Sequence, residues 1–158
     1  MYPETLDGCL NATRINFGKA LIDDESMKVV AYIVACSVKL TDLGIDHKGI
    51  GDAGMATLAD ALVVTKAPLK RLYLYQNEIS DAGATALARA LRVTVAPVEM
   101  IFLHDNSIGD SGAAALSDKG NFNRKSIRYL SLDRNQLSES AQSAMRKFGE
   151  KRSVEVHC

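Results

Sequence analysis

Leu69–Leu91 reads LKRLYLYQNEISDAGATALARAL, and its pattern decides the fold. Leu72 and Leu74 alternate with Arg71, Tyr73 and Tyr75, as in a short strand with one apolar face. Asn77 follows, then a turn. An alanine-rich stretch comes next, in which Ala84, Leu87 and Leu91 share one helical stripe. The pattern returns 29 residues later as Val98, Ile101, Leu103, Asn106, Ile108, Gly112 and Leu116. It stands 29 residues earlier as Leu40, Leu43, Ile45, Ile50, Gly54, Leu58 and Leu62. A fixed period of this length marks a stacked repeat, each unit covering its neighbour's apolar face.

Outward from this centre the pattern degrades. Ile15 and Phe17 alternate like Leu72 and Leu74, and Val30, Ile33 and Val34 supply a helical stripe behind Asp23, Asp24 and Glu25. The last unit holds Ile127, Leu130, Leu132, Asn135, Leu137, Ala141 and Met145, with Phe148 in the late core position. Between them Ser117–Ser126 reads as a loop, from which Phe122 is expected to fold back onto the core. Pro3 suits a first helical turn, and Leu6, Cys9 and Leu10 share a helical face. The expectation is one domain over 1–158: an N-terminal cap at 1–11, repeats near 12–39, 40–68, 69–97, 98–126 and 127–150, and a C-terminal cap at 151–158. Val154 and Val156 would place a last edge strand in that cap, unless the tail folds over the strand face.

Strands stack about 4.8 Å apart, whereas helices need about 10 Å. The strand side must therefore lie inside a curve. The fold class expected is α/β: a right-handed solenoid forming a short horseshoe arc, with parallel strands on the concave face and helices on the convex face. Asn77, Asn106 and Asn135 follow the strands, where an amide side chain both donates to and accepts from the turning backbone. Lys48 stands where the earlier asparagine would be and accepts nothing, so the ladder is expected to begin at Asn77. Asp52, Asp81 and Asp110 recur at helix starts and read as N-caps of their own helices.

Bulk properties narrow the function. Nineteen basic residues balance nineteen acidic ones, which gives no electrostatic footprint for nucleic acid or an anionic membrane. Cys9, Cys36 and Cys158 are too few and scattered for a disulfide framework. With no long apolar run and no basic-then-apolar start, the cytoplasm is the default location. His47, His104 and His157 are dispersed, and His47 and His104 fall two strands apart, about 10 Å. There is no phosphate loop and no nucleophile elbow. No enzyme activity, metal or cofactor is expected.

The segment LxxLxLxxNxIxDxGAxxLAxAL, as it stands in Leu69–Leu91, resembles a leucine-rich repeat. The 29-residue period and alanine-rich helix are similar to the ribonuclease-inhibitor-like subclass, which includes ribonuclease inhibitors, the sensor regions of NOD-like receptors and the Ran GTPase-activating proteins. The resemblance covers roughly residues 12–149 and is strongest from 40 to 145. It implies an α/β horseshoe used for protein binding. Ribonuclease inhibitors are longer and cysteine-rich, and the GTPase-activating relatives carry more repeats, so no catalytic residue is carried over.

Register places fifteen side chains on the concave face: Arg14, Asn16, Gly18; Asp42, Gly44, Asp46; Arg71, Tyr73, Tyr75; Met100, Phe102, His104; and Tyr129, Ser131, Asp133. They include four of the chain's nine Tyr and Phe residues, where chance would place about one. Aromatics with Arg and Met are the chemistry enriched at protein interfaces. The expected partner-binding patch is Arg71, Tyr73, Tyr75, Met100, Phe102, His104 and Tyr129, rimmed by Asp42, Asp46, Asp105, Asp133 and Arg134. Cross-strand aromatic pairs also stabilise sheets, so a packing role competes with binding. A protein partner is expected, and the same face also permits self-association. The alternatives are a regulator of a small GTPase, acting through an exposed arginine such as Arg14 or Arg71, and an architectural part of a cytoskeletal or ciliary assembly.

Overall fold

Among the described residues, alternation and helical stripes resolve into six strands and six helices. The computed structural model describes residues 6–17, 22–47, 49–118 and 126–158. The elements run α1 (Leu6–Asn11), β1 (Arg14–Asn16), α2 (Asp24–Cys36), β2 (Asp42–Gly44), α3 (Asp52–Val64), β3 (Arg71–Tyr73), α4 (Asp81–Val93), β4 (Met100–Phe102), α5 (Asp110–Ser117), β5 (Tyr129–Ser131), α6 (Glu139–Arg152) and β6 (Glu155–His157). Every strand pairs in parallel with its chain neighbours, in the order β1-β2-β3-β4-β5-β6. Register advances by the repeat, so Arg71 pairs with Met100 and Tyr73 with Phe102. The result is the expected open α/β solenoid, with one parallel sheet inside the arc and helices outside.

Strands β1 to β5 each bury their middle residue, and Val156 of β6 is partly buried. Ile15, Leu43, Leu72, Ile101 and Leu130 form one core row, and Ile45, Leu74, Leu103 and Leu132 form the next. From the helices, Leu58, Leu62, Leu87, Leu91 and Leu116 close the core. The β-branched stretch near Val30 is helical despite its weaker propensity: burial of Met27, Val30, Ile33 and Val34 outweighs a preference of a few tenths of a kcal/mol per residue. Phe148 packs against the core edge, as does Cys9 of α1. Pro3, Gly18, Lys48 and Phe122 lie outside the described residues.

The asparagine ladder joins successive units. Asn106 Nδ2 donates to Leu74 O and Leu103 O, at 2.9 and 3.0 Å. Its Oδ1 accepts from Ile79 N at 3.0 Å. Asn77 does the same with Ile45 O, Leu74 O and Ile50 N. Asn135 bonds Leu103 O, Leu132 O and Ile108 N. Each asparagine thus reaches back one unit.

The aspartates correct the capping expectation. Asp52, Asp81 and Asp110 do not cap their own helices; the N-caps are Gly51, Ser80 and Gly109. Each carboxylate reaches forward to the next helix instead. Asp52 accepts from Ser80 N, Ser80 Oγ and Gly83 N, at 2.9, 2.5 and 2.8 Å. Asp81 accepts from Gly109 N and Gly112 N, and Asp110 from Ser138 N and Oγ. The first helical turn places these side chains beside the next unit, where unpaired N–H groups wait. Glycine is required there: a Cβ on Gly83 would stand 2.6 Å from Asp52 Oδ1, and one on Gly112 2.7 Å from Asp81 Oδ1. Asp23, by contrast, caps its own helix α2 through Ser26 N.

Candidate functional site: the concave strand face

The parallel register lines up outward side chains across strands, and the aromatic ones meet. Tyr73 and Phe102 stack with centroids 4.8 Å apart and planes 8° from parallel. Phe102 continues to Tyr129 at 5.0 Å, and Tyr129 to His157 at 5.3 Å. A second row holds His47 edge-on to Tyr75 at 5.3 Å and Tyr75 stacked on His104 at 4.6 Å. The structure therefore brings the predicted Tyr73, Tyr75, Phe102, His104 and Tyr129 into two ring rows, with Arg71 and Met100 on the same face. All seven are partly exposed. His47 and His157 join them, so all three histidines of the chain stand in these rows. Sequence reading kept His47 and His157 apart from the patch. The period was the available signal for His47, which stands 29 residues before Gln76.

Three positions expected on the exposed face are buried. Asp42 is 4% exposed and Ser131 2%, and Gly44 is buried beside Asn16. Arg71 Nη1 donates to Asp42 Oδ1 at 2.6 Å, and Thr41 Oγ1 donates to Asp42 Oδ2 at 2.7 Å. The arginine lies over the carboxylate and seals it. Burial pushes the Asp42 carboxyl up, but Thr41, Arg71 and Arg14 together hold it below the usual carboxylate range. Ser131 Oγ lies 2.8 Å from His104 Nδ1, beneath the second ring row.

Charge is distributed unevenly along the rim. Arg134 Nε and Nη2 donate to the two carboxylate oxygens of Asp105, which holds the Asp105 carboxyl low. Glu155 bonds His157 Nε2 at 2.8 Å. Asp46 lies beside Tyr75, and its Oδ1 is buried without a hydrogen-bond partner. The Tyr75 hydroxyl is pushed up first by burial and then by the Asp46 charge, so the phenol stays protonated at neutral pH. Burial raises Tyr129 in the same way, with Asp133 and Glu155 adding to it.

The C-terminal segment does not cover the rings. Residues 155–157 pair with β5 as an added parallel strand, and His157 extends the first row. Tyr75 stands between His47, which meets it edge-on, and His104, which stacks on it. Among the described residues, no three His, Cys, Asp or Glu side chains are grouped to hold a metal ion. No helix among them is long and apolar enough to cross a membrane. A shallow groove of about 450 Å³, lined by Ala59, Asp60, Val63, Arg89 and Val93, lies between α3 and α4 on the helical side.

A one-sheet α/β arc with asparagine ladders defines the leucine-rich-repeat class. The family model described as Leucine Rich repeat matches residues 66–88 and 103–117, in keeping with the leucine-rich-repeat fold of the whole sheet. No curated protein matches the sequence. Solved structures share the fold. Leiomodin-1 Actin-Binding Site 2 superposes with a TM-score of 0.75 at 15% identity, over 94% of this chain and 84% of that one. The tropomodulin C-terminal domain of Caenorhabditis elegans gives 0.69 at 13% identity, over 93% and 92%. An internalin of Listeria monocytogenes gives 0.55 at 15%, over 91% of this chain and 39% of its own.

Proposed function

We propose that this protein is a non-enzymatic interaction module that binds a partner protein on its concave strand face. The observation that carries this is the pair of ring rows, seven aromatic and imidazole side chains in contact on one face. Rings of this kind give large contact area at low entropic cost and supply interface hot spots. The patch is Arg71, Tyr73, Tyr75, Met100, Phe102, His104 and Tyr129, in a single repeat array spanning 1–158. A 29-residue unit with helices of 13 residues in α2, α3 and α4 supports the ribonuclease-inhibitor-like subclass. A cytoplasmic setting fits the three unpaired cysteines.

Cytoskeletal assembly is the second reading. Its support is the shared fold, over nearly the whole chain, with Leiomodin-1 Actin-Binding Site 2. The GTPase-regulator reading has less support, because the Arg71 guanidinium is already held by Asp42.

The test replaces Tyr73, Tyr75 and Phe102 with alanine together. Wild type and triple variant, matched by circular dichroism, are used for affinity capture from the native cell. Loss of a captured protein with the variant supports the reading, and unchanged capture overturns it. Co-sedimentation with actin filaments decides the second reading.

A further inference from the structure

The interaction reading leaves the chemistry of the partner open, and the rim charges narrow it. The inference rests on that reading and concerns what occupies the second ring row. On the concave face the cationic groups of β3 and the following turns are spoken for: Arg71 is held by Asp42 and Arg134 by Asp105. Among the described residues, two carboxylates of this face form no ion pair with a lysine or arginine, although the Arg134 charge reaches Asp133. Asp46 flanks the Tyr75 end of the row, bonded to the Tyr75 hydroxyl, with His47 Nε2 4.0 Å away. Asp133 stands in register beyond His104, one strand further on; it forms no ion pair among the described residues and is partly exposed. The row Tyr75–His104 thus runs between two acidic ends, and one of them carries a buried oxygen without a partner.

We infer that the concave face takes a basic segment of a partner protein, laid across the strands along the Tyr75–His104 row. Its two cationic heads reach Asp46 and Asp133. The acidic ends are three strand spacings apart, about 14 Å. An extended segment spans that distance in four residues, about 13 Å, so lysine or arginine at positions i and i+4 matches both. The aliphatic stems of such side chains lie along apolar ring surface while their heads reach polar groups. An acidic segment meets repulsion at both ends.

The probes are two capped five-residue peptides, one with arginine at both ends and alanine between, the other with glutamate in place of arginine. The full chain is titrated with each, following the ring resonances of Tyr75 and His104 by NMR. The arginine peptide should bind saturably and the glutamate peptide should not. Asp46→Asn with Asp133→Asn should weaken the arginine peptide about tenfold, and added salt should weaken it further. The inference is overturned if the glutamate peptide binds as well, if the double variant binds the arginine peptide unchanged, or if neither peptide binds below about 10 mM. The broader reading fails separately: a captured partner retained by the Tyr73, Tyr75 and Phe102 triple variant removes the concave face altogether. A captured partner lost by that variant, with no preference for the arginine peptide, leaves the face and removes only the basic segment.

Discussion

Replacing Asp52 with alanine tests the forward reach of the helix-start carboxylates. Three hydrogen bonds to Ser80 and Gly83 are lost, and no water-facing group takes their place at the buried Gly83. Loss of a helix cap costs about 1 kcal/mol, and a donor left unsatisfied adds about 1–3 kcal/mol. The expected total is about 2–4 kcal/mol, measured by urea unfolding with far-UV circular dichroism. Gly83→Ala adds a second edge. Its Cβ would meet Asp52 Oδ1 at 2.6 Å and Ile79 Cγ2 at 2.9 Å. Against up to about 1 kcal/mol of helix propensity gained, crowding should cost about 1–3 kcal/mol. The two sites touch, so the double variant should be more stable than the sum predicts, by about 1–2 kcal/mol. Additivity within about 0.5 kcal/mol would refute the forward cap and return Asp52 to its own helix.

Four further outcomes are expected. Asn106→Ala should cost about 2–3 kcal/mol, because three buried backbone groups lose or share a partner, and more than Asn135→Ala at its half-buried site; equal costs in urea unfolding would argue against burial as the cause. Asp42 and Asp52 titrate below 3.8 in the folded chain, since for Asp52 burial raises the group but its bonds to Ser80 and Gly83 outweigh that. The unfolded chain therefore binds more protons below about pH 4: their stabilisation is full above that value and is lost as pH falls through the lower folded values, so an acid titration of Asp52→Asn should be flatter than wild type. Gln76 holds φ at 54°, where glycine relieves the side chain but adds unfolded-state entropy; Gln76→Gly should be neutral within about 0.5 kcal/mol, while Gln76→Val should lose more than about 1 kcal/mol of unfolding free energy. The triple replacement of Tyr73, Tyr75 and Phe102 should lower stability by no more than about 2 kcal/mol, from lost cross-strand pairs, while abolishing capture; a larger loss measured in urea would mean the rings serve the sheet.

The period made most of this legible. Because Leu72, Ile101 and Leu130 recur with the strand register, their burial follows from spacing alone. So does the alignment of Tyr73 with Phe102 and of Tyr75 with His104. What escaped was contact between units. Asp52 reads as a cap within its own segment because sequence order shows the helix it begins and hides the neighbour it touches. Asp42 and Ser131 occupy outward positions, and side chains from neighbouring units, Arg71 and His104, lie against them. His47, Gln76, Asp105 and Arg134 all take the left-handed backbone conformation, yet none is glycine, so the turn is enforced by the asparagine that follows or by the stack, and composition gives no sign of it.

The opposed directions of the two ladders have a consequence for length. Each asparagine bonds the unit behind it and each aspartate the unit ahead, always at the same offset. Excision of residues 69–97 would leave Asp52 facing Gly109 and Gly112, and Asn106 facing Ile45 and Ile50. Every clasp would still find a matching donor or acceptor. Such a shortened chain should close without a frayed joint, whereas a deletion that is not a whole number of units would put the clasps out of phase. In this architecture the unit that can be gained or lost is set by hydrogen-bond phase as much as by the hydrophobic core.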